Sequence, residues 1–353
     1  MISCKYRGRW AMRISCFFVI LVVASPFCSA SARTWRVPSE CSTLKAGCDS
    51  ASYGDTVLVA PGTYERNTEP ETWWLLKPGV SMVSEAGPEV TFIEICNISL
   101  AVGVNEEGVW FSGFTVRYGS GPDCGVPTQE DCGIWCTATD AVIEDCVIEG
   151  FYRGIWMDVS SGEWWKPVFR NNVIRECGRG ISLEGVMDPG RPYIEGNVIT
   201  ECHTGLYALD SSPLLADNVV THCTTAGLYY AGHCGGSCWR NVIANNGSEG
   251  VLIVMPDPPL AVPDFNGGLM PADANEFYGN GSCDIEYPFS NHGGVMAKWN
   301  WWGADCPDFT GKFEGLVYYE PWTDATHTLR MDTDTCEHTA EPTSWGAIKS
   351  IYR

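Results

Sequence analysis

Four aromatic residues share one relation to a glycine. Trp135, Trp156, Tyr207 and Tyr229 each stand two positions after Gly133, Gly154, Gly205 and Gly227. In an extended segment alternate residues face opposite ways. If Ile134, Ile155, Ile181, Leu206, Leu228 and Val251 point inward, the residues that follow them point out. Two positions beyond the tryptophan or its equivalent stand the acids Asp158 and Glu184. An outward aromatic beside a carboxylate suits a sugar: the apolar ring face packs on indole or phenol, and hydroxyls bond to the acid. Trp135, Trp156, Tyr207, Tyr229, Asp158 and Glu184 are therefore the candidate glycan contacts. The opposing structural reading is that loops carrying Trp164 and Trp165 cover these aromatics, or that they serve strand propensity alone.

Such a row exists only if the glycines repeat in space. Gly133, Gly154, Gly180, Gly205, Gly227 and Gly250 recur every 21–26 residues, each followed by Ile, Leu or Val. A second beat precedes five of them: Cys146-Val147-Ile148, then Asn172, Asn197, Asn218 and Asn241, each followed by Val-Ile or Val-Val. A unit this short cannot bury its apolar face alone, so successive units must stack. Its apolar residues fall in short runs and alternations, not at helical spacing, and Gly, Asn, Pro and Asp punctuate them. The predicted class is all-β: a right-handed parallel β-helix, a single-stranded solenoid with a short N-terminal capping helix that contains Leu44 and Ala46. Equivalent strands of successive coils would pair in register about 4.8 Å apart. The asparagines then form a hydrogen-bonding ladder along a bend that visits left-handed backbone space. Cys177, Cys202 and Cys223 form a second ladder, an interior row of thiols packed as small hydrophobes, with Asn246 at the equivalent point of the next coil. The glycine is read as the residue where each coil bends into its strand.

The segment Gly54-Asp55-Thr56-Val57-Leu58-Val59-Ala60-Pro61-Gly62-Thr63-Tyr64 resembles the first-coil signature of the pectin-lyase-like superfamily. Asn300-Trp301-Trp302-Gly303 and Tyr319-Glu320-Pro321-Trp322 resemble the closing segment of secreted bacterial β-helices. The resemblance spans about residues 35–325 and implies the fold, with a helix capping the first coil. Its functional content is poor, because this fold hosts lyases, hydrolases, epimerases, adhesins and non-catalytic binders. A lyase on it would need carboxylates to hold calcium and an Arg or Lys base. Asp158, Glu184, Asp188 and Asp210 are candidate acids and Arg153, Arg179 and Arg191 candidate bases, but no acid cluster stands at a fixed short spacing from a base. Of the four motifs of a polygalacturonase-type hydrolase only Gly232-His233-Cys234 echoes one. Paired carboxylates from separate coils would still serve hydrolysis.

Residues 1–32 read as a signal peptide: Lys5, Arg7, Arg9 and Arg13, an apolar core from Ile14 to Ala24, and an A-x-A site at Ala30-Ser31-Ala32. Residues 33–330 are assigned to the solenoid, and 331–353 to a linker and a C-terminal tail for which docking, sorting or anchoring is one reading. Loss of the leader's four basic residues takes the formal charge from −21 to −25. That field argues against nucleic acid, and against polyanions without an intervening cation. No segment has the length of a membrane span. A monomer exported to the periplasm, cell surface or medium is expected.

Of the 18 cysteines, 15 lie beyond the leader, and export predicts that some pair. The local candidates are Cys41 with Cys48 across the cap, Cys124 with Cys132, Cys234 with Cys238, and Cys283 with Cys306, leaving Cys336 free in the tail. A zinc site at His233, Cys234 and Cys238 lacks an evident fourth ligand. His203, His222 and His233 read as corner residues, and the sequons at Asn97, Asn246 and Asn280 as chance.

Three function classes follow. The first is a secreted, non-catalytic β-helix that binds glycans or serves as a cell-surface scaffold. The second is a polysaccharide lyase or glycoside hydrolase on the same frame, with calcium if a lyase and otherwise no cofactor. The third is a structural or adhesion module. No catalytic residue and no metal ligand is assigned.

Overall fold

The computed structural model describes residues 31–65, 76–122, 124–158, 166–186, 191–256, 261–266, 271–288 and 293–339. Residues 1–30 of the leader, the loop bearing Trp164 and Trp165, Asp188, and the C-terminal residues 344–353 lie outside that set.

Among the described residues three nine-stranded sheets run along the solenoid, and from Ser81–Ser84 to Glu249–Val254 successive strands pass from the first to the second to the third sheet in turn. One coil shows the pattern: Val168–Arg170 lies in the first sheet, Val173–Arg175 in the second and Arg179–Glu184 in the third. Pairing between coils is parallel and in register, so each repeat residue stacks on its equivalent. Ile148, Ile174, Ile199, Val220, Ile243 and Phe277 form one buried inner row. Ile134, Ile155, Ile181, Leu206, Leu228, Val251 and Ile285 form another. The valines before the first row face outward, as the period of two requires.

Both ends are closed. At the N-terminus the helix Leu44–Ser50 starts on Thr43, whose Oγ1 accepts the Ala46 N–H at 3.1 Å. It buries Leu44, Gly47 and Cys48 on the first coil. A Cβ on Gly47 would meet Val57 at 2.8 Å and Val37 at 3.0 Å, so the cap sits this close only because residue 47 is glycine. At the other end an aromatic plug closes the core. Trp302 stacks on Phe277 with centroids 4.8 Å apart, and Phe309 packs against Tyr319 at 4.2 Å and Trp322 at 5.0 Å. An uncovered terminal coil would be an open sheet edge, which these two devices remove.

The repeat glycines have a different task from the one expected. None of Gly133, Gly154, Gly180, Gly205, Gly227 and Gly250 has a positive φ. Instead, a Cβ on Gly154 would lie 2.5 Å from the carbonyl oxygen of Gly180, and one on Gly180 2.6 Å from that of Gly205. They are glycines because neighbouring coils approach too closely there for a side chain. The left-handed residues stand elsewhere, immediately before each ladder residue: Asn171, Asp217 and Arg240 before the asparagines, Glu176, Glu201 and His222 before the thiols.

The asparagine ladder is longer than the repeat suggests. Cys146 N–H donates to Asn172 Oδ1, and the same bond recurs from Asn172 to Asn197, Asn218, Asn241, Asn275 and Asn300 at 2.9–3.1 Å. From Asn172 to Asn275 each Nδ2 also donates to the next Oδ1 and to a carbonyl of the previous coil, as Asn197 does to Asn218 at 3.0 Å and Phe169 at 2.8 Å.

The disulfides differ from the local pairs expected. Cys124 bonds to Cys96, not Cys132, and Cys306 bonds to Cys336, not Cys283. Cys336, expected to be free, lies in the helix Thr333–Thr339. Cys41, Cys48, Cys132, Cys234, Cys238 and Cys283 are buried thiols. Their side chains serve the core: Cys238 Sγ meets Tyr230 Oη at 3.5 Å, and Cys234 Sγ–H donates to Ala231 O at 2.9 Å. The first bridge ties the insertion to the solenoid and the second ties the terminal helix to the loop at Cys306.

Candidate functional site

The outer face of the third sheet carries the predicted aromatic row, held by strand register. Trp135 pairs with Trp156, Trp156 with Ser182, Ser182 with Tyr207, Tyr207 with Tyr229, and Tyr229 with Leu252. Gly103 precedes Trp135 in the same row. The four aromatics are half-buried. They form two pairs separated by the fully buried Ser182. Trp135 and Trp156 lie with centroids 6.0 Å apart and planes at 29°; Tyr207 and Tyr229 are 5.3 Å apart at 16°.

Charge fills the gap at Ser182. Arg153 places its guanidinium 4.5 Å from the Trp156 ring, and Arg179 places its own 3.5 Å from Tyr207. Glu184 ties the two together, with Oε1 at 3.5 Å from Arg153 Nη2 and 3.4 Å from Arg179 Nη1, and it also accepts from Ser182 Oγ at 3.2 Å. Asp158 pairs in register with Glu184 and lies at the surface. Desolvation by its neighbours, then the Glu184 charge, push its carboxyl above the ordinary range. Thus two cations gather on a face of a chain whose formal charge is −21.

Beside the tryptophan pair opens a cleft of about 310 Å³, lined by Ser99, Leu100, Glu130, Cys132, Trp135 and Trp156. Its floor is apolar, while Ser99 and Glu130 stand exposed at its rim. The rim segment is well held. Arg153 Nη1 donates to the Gln129 carbonyl, Asp131 Oδ2 accepts the Thr128 N–H, and Arg153 N–H donates to Asp131 O at 3.0 Å. Upstream, the Cys96–Cys124 bridge and the bond from Gly125 N–H to Asn97 Oδ1 at 3.0 Å anchor the same insertion.

All six predicted contacts therefore share one face, but not one function. Trp135 and Trp156 line the cleft. Glu184 is engaged with two arginines, and Tyr207 and Tyr229 stack on each other. Ser99, Leu100 and Glu130 were missed by sequence reasoning because they lie outside the glycine repeat, one coil earlier or in the insertion. Among the described residues no group of three or more His, Cys, Asp or Glu is arranged to hold a metal ion, and no helix is long and apolar enough to cross a membrane.

Residues 124–255 match the family described as the right handed beta helix region. Solved structures similar to the chain include a pectate lyase, 11% identical with a TM-score of 0.49, covering 85% of this chain and 82% of that one. The A-module of a mannuronan C-5 epimerase from Azotobacter vinelandii is 13% identical with a TM-score of 0.43, covering 76% and 91%. A tailspike protein of Acinetobacter baumannii bacteriophage Fri1, a capsular polysaccharide depolymerase, is 10% identical with a TM-score of 0.44, covering 81% and 60%. At these identities the likeness concerns the fold alone. No curated protein matches the chain.

Proposed function

We propose that this chain, a right-handed parallel β-helix protein of the pectin-lyase-like superfamily, is an exported glycan-binding protein whose sugar site is the cleft beside Trp135 and Trp156. The observation that carries the reading is the cleft itself: Trp135, the edge of Trp156 and Leu100 give an apolar bed, and Glu130 and Ser99 give polar groups at its rim. A pyranose ring needs both, a flat apolar contact for its C–H face and acceptors for its hydroxyls. Two disulfides fit an oxidising compartment. The test is a glycan array with the intact chain, followed by titration of the best ligand into a Trp156→Ala variant. Binding should weaken about tenfold or more, as for a buried aromatic anchor. Unchanged affinity in the variant, or an array without a single hit, removes the proposal.

One observation favours a second reading, hydrolysis. Asp158 and Glu184 are in-register neighbours, one with a raised carboxyl and the other ion-paired to two arginines. Carboxyls in contrasting environments are how acid and base roles are divided. Reducing ends released from a polysaccharide panel, and lost in Asp158→Asn, would establish it; their absence across the panel would leave the binding role alone.

A further inference from the structure

The aromatic row looks at first like a platform for a sugar chain lying along the solenoid axis, one residue per coil. Its ring geometry argues otherwise. Within each pair the planes are inclined by only 16–29° with centroids 5.3–6.0 Å apart, between residues that are axial neighbours. The π faces are thus turned along the axis toward adjacent coils, and the ring edges point outward. The faces at the gap are taken by Arg153 over Trp156 and Arg179 over Tyr207. At the far end, Leu252 is the register neighbour of Tyr229. A chain laid along the row would meet edges, then the Arg153–Glu184–Arg179 cluster, then edges again. The cleft is different: it is a half-open space of about 310 Å³ beside the first pair. That is at the lower end of the ~300–1,000 Å³ of small-molecule sites. On one side it ends at the tryptophan pair, and at its rim stands the insertion held by Arg153 and the Cys96–Cys124 bridge.

Resting on the glycan-binding reading, we propose that the cleft recognises a glycan terminus, taking the last one or two sugar residues end-on rather than an internal run of the chain. The apolar bed of Trp135, the Trp156 edge and Leu100 holds the terminal ring, and Glu130 and Ser99 bond its hydroxyls. Tyr207 and Tyr229 then belong to the face without touching the ligand.

The test is calorimetric titration of the full chain with cello-, chito- and manno-oligosaccharides, each from monosaccharide to hexasaccharide. Affinity in a binding series should level off at the disaccharide. Trp135→Ala should lose about tenfold or more, and Tyr229→Ala should stay within about twofold. Because Trp135 is half-buried, Ser99→Trp provides a second variant: it fills the rim from an exposed position and should abolish binding while unfolding in urea at an unchanged midpoint. Affinity that climbs with each residue to the tetrasaccharide, together with a loss in Tyr229→Ala, would overturn end-on recognition and leave glycan binding standing. Silence from all three series would take both down.

Discussion

The two inner bends of the solenoid solve one problem with two chemistries. At every rung of both bends but Asn275, which follows Ala274, a left-handed residue comes before the one whose backbone N–H turns to the core, and something in the following coil must accept that N–H. Between the first and second sheets the row runs Phe114, Cys146, Asn172, Asn197, Asn218, Asn241, Asn275, Asn300. Between the second and third it runs Phe151, Cys177, Cys202, Cys223, Asn246, Asn280. The order of side chains is the same, phenylalanine then thiol then amide, but the switch to amide comes after one cysteine in the first row and after three in the second. The thiols occupy the amide's place. Phe151 N–H reaches the Cys177 sulfur, Cys177 N–H that of Cys202, and Cys202 N–H that of Cys223. From there Cys223 N–H donates to Asn246 Oδ1 at 3.1 Å and Asn246 N–H to Asn280 Oδ1 at 3.2 Å. A thiol accepts weakly but fills apolar space; an amide accepts strongly and donates upward and downward as well.

The amide bend should therefore be the more costly to break. Asn197→Ala orphans the Asn172 N–H and removes the donor to Phe169 O and Glu195 O, all in the buried interior. The loss should be about 3–5 kcal/mol in urea unfolding, since each unsatisfied buried group costs about 1–3 kcal/mol. Cys202→Ala, in the middle of the thiol bend, leaves one N–H without its sulfur and a small void. It should cost about 1–2 kcal/mol. An equal loss in the two variants would show that the bends do not differ in kind.

Alkali separates them in another way. Burial holds the Cys223 thiol up to about 12, against an ordinary 9.0. Above pH 9 the unfolded chain releases this proton and the folded one keeps it, so the contribution to stability is complete below pH 9 and declines as pH rises toward 12. This thiol should lower the unfolding free energy by about 1.4 kcal/mol per pH unit in that window. The amides contribute no such slope. Cys223→Asn should give the smallest effect at neutral pH, within about 1 kcal/mol of the parent, because it only moves the switch to amide one coil earlier, beside an existing Asn246. It should also remove one thiol's share of the alkaline slope. A steep loss at neutral pH would mean that the second bend cannot accommodate an amide there.

The ladders were legible because register follows from spacing: equal offsets from a repeating glycine put Trp135 on Trp156 and Asn172 on Asn197. Asn275 and Asn300 escaped because 34 residues separate Asn241 from Asn275, outside the period of the earlier coils. The disulfides escaped for a related reason. Cys96 and Cys306 find partners in an insertion and in a terminal helix, whose positions the repeat does not determine. The glycines were noticed for the wrong property, since a residue type alone does not distinguish left-handed backbone from a close approach between coils. At the candidate site the outward direction of the four aromatics was readable, but a side chain's ring plane depends on its neighbours. Arg153 and Arg179, which cover one ring of each pair, stand directly before Gly154 and Gly180 and pair in register, so the period marks their positions but not the direction of their side chains.

The asparagine row also has an arrow. Every amide in it supplies an acceptor to the coil before its own, and none to the coil after. A chain made from its N-terminus onward therefore carries, at each moment, one newest coil whose inward N–H awaits a residue not yet in place. Each rung finishes its predecessor, and the series closes at Asn300 with the aromatic plug behind it.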